Sequence, residues 1–257
     1  MTQAHSTAVI HPGAQVGDGC EIGPYCVIGA NVVLGPGCTL HSHVVIDGHT
    51  VLGRENEIFP FASIGLKTQD LKWKGGITHT QIGDRNTFRE YVTIHSATSD
   101  GETTVVGSDN HILAYCHLAH NVNLGNHIIM SNVGTLAGHV TVEDHAVIGG
   151  LVAIHQFCRV GRMSMIGGCS KVVQDVPPFM LADGNPAQTR TVNKVGLERR
   201  GVSEEAQAAL KQAYKILFRE GLTISNALVK IESELPKSPE MEHLLQFART
   251  SQRGLSK

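Results

Sequence analysis

The sequence predicts a β-solenoid closed by a short run of helices, and three observations predict it. Nearly every sixth residue from Ile10 to Val172 is apolar: of 28 such positions, 25 hold Ile, Val, Leu, Met or Phe. Glycine follows that residue in 12 of the 25 hexads, and a small, β-branched or amide residue precedes it by two. After Val172 the count breaks and an apolar stripe of helical spacing takes over. A six-residue period fits neither an amphipathic helix nor a half-buried strand, so it belongs to a repeat architecture.

Each hexad reads as a very short strand with two inward side chains, such as Ala8 with Ile10 or Cys20 with Ile22. The glycine that follows, as at Gly17, Gly23, Gly29 and Gly35, is expected to turn the corner without a Cβ clash. Three hexads then close one triangular coil. Coils stack as parallel strands into a prism about eight coils tall, whose core no single coil could bury.

Two insertions interrupt the count without shifting its frame. Asp70 and Gly76 fall in residues 66–79, and Asp100 falls in residues 97–103. The first insertion gathers Gln69, Asp70, Lys72 and Trp73, and loops on rigid scaffolds are where binding groups concentrate. Val176-Pro177-Pro178 is expected to end the ladder, because proline cannot donate to it.

Helices follow. Ser203 before Glu204 and Glu205 is an N-cap with an acidic first turn, and Gly221 is a stop signal. Leu210, Ala213, Tyr214, Leu217 and Phe218 share one face. A second helix is expected from Ser225 to Leu235. A third starts between Pro236 and Pro239 and carries Met241, Leu244, Leu245 and Phe247. The expected organisation is a β-solenoid over residues 1–182 and an α-helical domain over 183–257.

Composition excludes several classes. The 257 residues carry a net charge of −2, which does not suggest nucleic acid as a partner. Neither a membrane span nor a signal peptide is expected. Five of six cysteines (Cys20, Cys26, Cys38, Cys116 and Cys158) occupy the small inward position and read as buried hydrophobes, which suits a reducing cytoplasm. Neither a Cys-x-x-Cys nor a His-Glu-x-x-His motif is present, so no metal site is expected.

Histidine is the outlier, with 15 residues. His5, His11, His41, His43, His49, His111, His127, His145 and His243 are expected on solvated faces. His95 and His155 stand where other hexads place glycine. His117, His120 and His139 also avoid the inward positions, so all five are expected at corners or pointing outward. With 18 residues per coil, Gly138 lies one coil above His120. An imidazole beside a backbone N–H is the minimal equipment for acyl transfer to a hydroxyl.

These residues carry a resemblance. The hexads, Gln69-Asp70-Leu71-Lys72, Val92-Thr93-Ile94-His95, Ala119-His120, Leu136-Ala137-Gly138-His139, His155-Gln156-Phe157-Cys158 and Asp175-Val176-Pro177-Pro178 resemble the UDP-N-acetylglucosamine O-acyltransferase family. The likeness runs over nearly the whole chain, through Arg199-Arg200-Gly201 to Arg253-Gly254. It implies a left-handed parallel β-helix, against the usual right-handed crossover. It also implies a homotrimer with active sites between neighbouring prisms, and no cofactor.

The implied reaction moves an (R)-3-hydroxyacyl group from acyl carrier protein to the 3-hydroxyl of UDP-N-acetylglucosamine, the first step of lipid A biosynthesis. His120 matches the family's general base and the Gly138 N–H its oxyanion donor. Gln69, Asp70, Lys72, His117 and His139 match residues around the sugar, phosphates and acyl 3-hydroxyl. His95, His155, Gln156, Asn193, Arg199 and Arg200 match the nucleotide and phosphopantetheine ends of the cleft, where guanidinium forks suit phosphates. Gly168 matches the end of the acyl tail and leaves room for a longer chain. Asn121 stands where many members carry Asp, and Val195 where some carry Glu. An amide holds an imidazole but does not stabilise its cation as a carboxylate does, so base orientation is expected from another group.

Other readings are a 3-amino sugar nucleotide acylated to an amide, and the related N-acyltransferase of the same pathway. A zinc enzyme of the γ-carbonic anhydrase kind would use His95, His117 and His120. A scaffold without catalysis is the last alternative.

Overall fold

A computed structural model describes residues 1–257. The hexads fold as short strands, most of two residues, from Gln3–Ala4 to Lys171–Val172. They fall in rotation onto three sheets, here sheets 1, 2 and 3, of eleven, nine and eight strands, the eleven including the later strands Met180–Gly184 and Ala187–Val192. Partners one coil apart differ by 18 residues, as in Gln15 with Val33 and Asn123 with Thr141. The corners form three edges. Edge I follows sheet 1 at residues 132–133, 150–151 and 168–169. Edge II follows sheet 2 at 120–121, 138–139 and 156–157, and edge III follows sheet 3 at 126–127, 144–145 and 162–163.

Register explains why the insertions keep the frame. His79 pairs with His49 thirty residues back and with Thr103 twenty-four residues on, so the two loops add about twelve and about six residues to a coil. Both leave a sheet 2 strand (Ser63–Leu66, Thr93–His95) and re-enter sheet 3 (His79–Ile82, Thr103–Val106). Both therefore sit on edge II.

Inside the prism, 40 buried residues form one apolar column that includes Cys20, Cys26, Cys38, Cys116 and Cys158, all fully buried. The column contains a polar ladder. Asn86 Nδ2 donates to Asn56 Oδ1 at 3.0 Å and to Gly107 O at 2.9 Å, and Asn110 N donates to Asn86 Oδ1 at 2.9 Å.

The recurrent glycines have a different cause from the one the sequence suggests. Gly17, Gly23, Gly29 and Gly35 are not in the left-handed region; that conformation falls two residues later, at Gly19, Tyr25 and Gly37 and at many non-glycine positions, among them His43, Asn121 and His139. The glycines are required by close approach of coils. A Cβ on Gly35 would lie 2.5 Å from the carbonyl carbon of Gly53 one coil on.

The ladder also runs past Val176-Pro177-Pro178. Val176 bridges to Val160, and the strand Met180–Gly184 pairs in parallel with Met165–Ile166 and antiparallel with Ala187–Val192. A hairpin thus straddles residue 182. Four helices follow: α1 (Lys194–Arg199), α2 (Glu204–Phe218), α3 (Ile224–Glu234) and α4 (Pro239–Arg249). Ser203, Thr223 and Ser238 cap α2, α3 and α4 through side-chain oxygens. Their apolar faces join Met163, Phe179 and Met180 in a second core of 20 buried residues. His243 is not simply solvated: its Nε2 meets Glu143 Oε2 at 2.7 Å and ties α4 to the coil. His145 is likewise half-buried, with Nδ1 enclosed and unpartnered.

Candidate active site

Edge II gathers most of the predicted residues. Gln69, Asp70, Lys72, His117, His120, Gly138 and Gln156 line one open cleft of about 610 Å³. Its floor is the turn after each sheet 2 strand, and its wall is the first insertion. Asp70 is fixed by its own loop: Thr68 Oγ1 accepts from Asp70 N at 3.1 Å, and Asp70 Oδ1 accepts from Lys72 N at 3.0 Å. The other carboxylate oxygen, Oδ2, stands 3.6 Å from His120 Nε2.

His120 and Gly138 meet one coil apart. A Cβ on Gly138 would lie 2.3 Å from Cε1 and 2.4 Å from Nε2 of the imidazole, so only glycine fits. The Gly138 carbonyl accepts from Phe157 N at 3.1 Å, whereas its N–H donates to no group of the chain. On its other side the ring is held by Asn121, whose Oδ1 is 2.9 Å from Nδ1. His139 packs edge-on against His120 with centroids 5.3 Å apart.

Burial sets the charge of the flanking histidines. His117 is pushed down to about 4, first by burial and then by His95 and His120. Its Nδ1 is 2.7 Å from Thr93 Oγ1. Burial, then His120, also lowers the affinity of His95 and His139 for a proton. The site therefore holds neutral imidazoles around His120 at neutral pH. His95 is more enclosed than its corner position suggests, at 9% exposure and with Nδ1 unpartnered. It lies in a buried run of residues 94–98, with Thr78 Oγ1 donating to Ser96 Oγ beside it.

The remaining residues lie elsewhere on one chain. His155 is at the rim of edge II, exposed, 3.3 Å from an Arg253 guanidinium nitrogen. Asn193 caps α1 and donates from Nδ2 to Met163 O on edge III at 2.9 Å. Arg199 and Arg200 are exposed at the end of α1, and the Arg200 charge acts on His145, also of edge III. Gly168 is on edge I, where a Cβ would meet only Gly150 O within 3.4 Å. Val195 is 56% exposed. Within one chain, no three His, Cys, Asp or Glu side chains converge as a metal ion would need.

Residues 175–256 match the family described as UDP N-acetylglucosamine O-acyltransferase, domain 2, and residues 5–36 and 13–48 match the bacterial transferase hexapeptide. The whole chain superposes on solved acyltransferases. LpxA, a UDP-N-acetylglucosamine acyltransferase from Bacteroides fragilis, is 39% identical with a TM-score of 0.96, covering 99% of this chain and 100% of its own. LpxA from Acinetobacter baumannii is 43% identical, with 99% of each chain covered and a TM-score of 0.96. The Francisella novicida UDP-N-acetylglucosamine acyltransferase is 38% identical, with coverages of 100% and 94% and a TM-score of 0.94. The chain belongs to the UDP-N-acetylglucosamine O-acyltransferase family. It is an acyltransferase built on a left-handed parallel β-helix with a C-terminal helical cap.

Three polar groups behind this acyltransferase's cleft, bonded to His117 or Asn121, were not singled out from sequence. Thr93 partners His117. Thr98 N donates to Asn121 Oδ1 at 3.2 Å, and Asn121 Nδ2 donates to Glu102 Oε2 at 2.8 Å. Both of the latter belong to the second insertion or its approach. Counting in eighteens would have placed that insertion on the same edge as His120.

Proposed function

We propose that this acyltransferase moves an (R)-3-hydroxyacyl chain from acyl carrier protein to the 3-hydroxyl of UDP-N-acetylglucosamine, the first step of lipid A biosynthesis in the cytoplasm. One observation carries the reading: His120 presents Nε2 to a cleft in which the adjacent Gly138 N–H is free. In that arrangement His120 Nε2 takes the proton of the 3-hydroxyl as its oxygen attacks the thioester carbonyl. The Gly138 N–H donates to the developing oxyanion. Collapse breaks the carbon–sulfur bond, and the proton on His120 passes to the departing phosphopantetheine sulfur. No cofactor takes part.

Lys72 beside the cleft and the Arg199–Arg200 pair suit the diphosphate and the carrier's phosphopantetheine. Asn193 and Arg200 face edge III, whereas Gly168 lies on edge I and His120 on edge II. One prism cannot turn three edges toward one substrate. A homotrimer with clefts between prisms can, and this supports that assembly. No helix is long and apolar enough to cross a membrane, and all six cysteines are free, which fits a reducing compartment.

The test is turnover of (R)-3-hydroxyacyl carrier protein with UDP-N-acetylglucosamine or its 3-amino analogue. Ester formation with the former is expected, and its loss by about 10²–10⁴-fold in His120→Ala. Amide formation with the analogue alone moves the assignment to a 3-amino acceptor. No transfer to either, or full activity of His120→Ala, overturns the reading.

A further inference from the structure

We infer that Glu102 is a positioning residue for His120, acting through the side-chain amide of Asn121. The inference rests on the reading of His120 as the base. The hydrogen bonds form one line. His120 Nδ1 is 2.9 Å from Asn121 Oδ1, and Asn121 Nδ2 donates to Glu102 Oε2 at 2.8 Å. Neither end of the amide is free to exchange. Its oxygen accepts from Thr98 N at 3.2 Å, and its nitrogen faces a carboxylate, which has nothing to donate. The backbone is held as well, since Asn121 N donates to Thr104 Oγ1 at 2.8 Å and Asn121 sits in the left-handed region at φ 59°.

An amide oxygen can only accept, so His120 must carry its proton on Nδ1. In the neutral ring the lone pair is then on Nε2, which faces the cleft with Asp70 Oδ2 3.6 Å away. Glu102 is itself oriented, because Oε2 also accepts from Ser99 N at 3.2 Å. The Asn121 bond holds its carboxyl below the ordinary glutamate range, so it is ionised at neutral pH. A carboxylate on the far side of an amide polarises it and draws negative charge onto the oxygen that meets the imidazole. The other charged or titratable groups around His120 are Asp70, Lys72, His95, His117 and His139. None of them touches Nδ1. The carboxylate that many relatives place next to the base is thus present here one link further out, in the second insertion.

This arrangement makes a specific exchange testable. Asn121→Asp alone sets two carboxylates against each other and drives the exposed Glu102 side chain from its place. Glu102→Gln alone keeps the geometry and removes the charge. The two together restore an amide–carboxylate pair with the charge beside the imidazole.

In steady-state transfer, Glu102→Gln is expected to lower kcat about fivefold with KM for both substrates within about twofold, since a charge-assisted bond becomes a neutral one. Asn121→Asp is expected to fall at least about tenfold, and the double variant to recover to within about threefold of the parent. Unchanged kcat in Glu102→Gln, or a double variant no better than Asn121→Asp, overturns the inference. A second readout needs no turnover. The ¹⁵N spectrum of the histidine-labelled full chain, with His120 assigned by comparison with His120→Gln, should show protonated Nδ1 and bare Nε2. Glu102→Ala should show both tautomers. Protonated Nε2 in the parent overturns the inference. The expected tautomer in a parent that acylates neither sugar nucleotide would instead sink the proposed reaction and leave the role of Glu102 standing.

Discussion

Gly138→Ala adds a single methyl group to the edge that carries His120, the proposed base. The Cβ would sit 2.3 Å from His120 Cε1 and 2.4 Å from Nε2, whereas ordinary contact begins near 3.4 Å. Something must move by about 1 Å. The glycine backbone is held by the coil, with Phe157 N donating to its carbonyl and His139 N donating to His120 O. The imidazole is the softer partner, and turning it away breaks its 2.9 Å contact with Asn121 Oδ1. A displacement of about 1 Å at a reacting group costs roughly 10²-fold in rate. Steady-state transfer with the carrier-bound acyl donor should therefore show kcat reduced by about 10²-fold, and thermal unfolding should shift by no more than about 3 °C because the core column is untouched. Retention of more than about a tenth of the parent kcat by a folded Gly138→Ala would refute the claim that this contact sets the position of the base.

Other perturbations test the surroundings. His117 is depressed to about 4 by burial against an ordinary value of 6.5, so the unfolded chain takes up a proton there before the folded one does. The stability this gives is full above pH 6.5 and is lost as pH falls toward 4; His117→Asn should flatten the fall of Tm across that window. Asn86→Ala removes the acceptor of Asn110 N and the donor to Gly107 O in a buried ladder. At about 3 kcal/mol for the two orphaned groups, Tm should drop by about 6–12 °C, measured by calorimetry, and an unchanged Tm would count against the ladder.

The repeat is legible because its cause is strictly periodic. Each inward pair must fill the same triangular space, so Cys20, Cys26 and Cys38 could be assigned to the core by counting alone. The purpose of the glycines was less legible, since a Cβ clash with the next coil and a left-handed φ both select glycine. Only the structure separates them. The hairpin 180–192 was hidden behind Pro177 and Pro178, and α1, six residues with Gly196 inside it, is too short to leave a period. At the site, His120 and Gly138 were found by the ruler of eighteen. Glu102 was not, because it lies in an insertion where the count is suspended, and its role exists only through the orientation of Asn121.

Edge III shows what the free N–H on edge II amounts to. At the turn position equivalent to Gly138, edge III places Arg54, Asp84, Ser108 and Asn126, and each backbone N–H donates to the side chain one coil on. Arg54 N meets Asp84 Oδ1 at 3.0 Å, Asp84 N meets Ser108 Oγ at 2.9 Å, Ser108 N meets Asn126 Oδ1 at 2.8 Å, and Asn126 N meets Asp144 Oδ1 at 2.7 Å. Edge III thus offers one unpaired N–H per corner, and a short polar side chain one coil later consumes it. For Gly138 that later residue is Gln156, whose side chain is one methylene longer and makes no such bond. The proposed oxyanion donor needs no special backbone, only the absence of the cap that edge III uses. Gln156→Asn should supply the cap, as Asn126 does for Ser108. Comparison with Gln156→Ala separates this from simple loss of the glutamine: both lose its contacts, but only the asparagine occupies the Gly138 N–H. Gln156→Asn should show the lower kcat of the two by about tenfold, the cost of diverting one oxyanion donor in part, together with a slightly higher Tm. Equal kcat in the two variants would mean that Gly138 does not donate in the transition state.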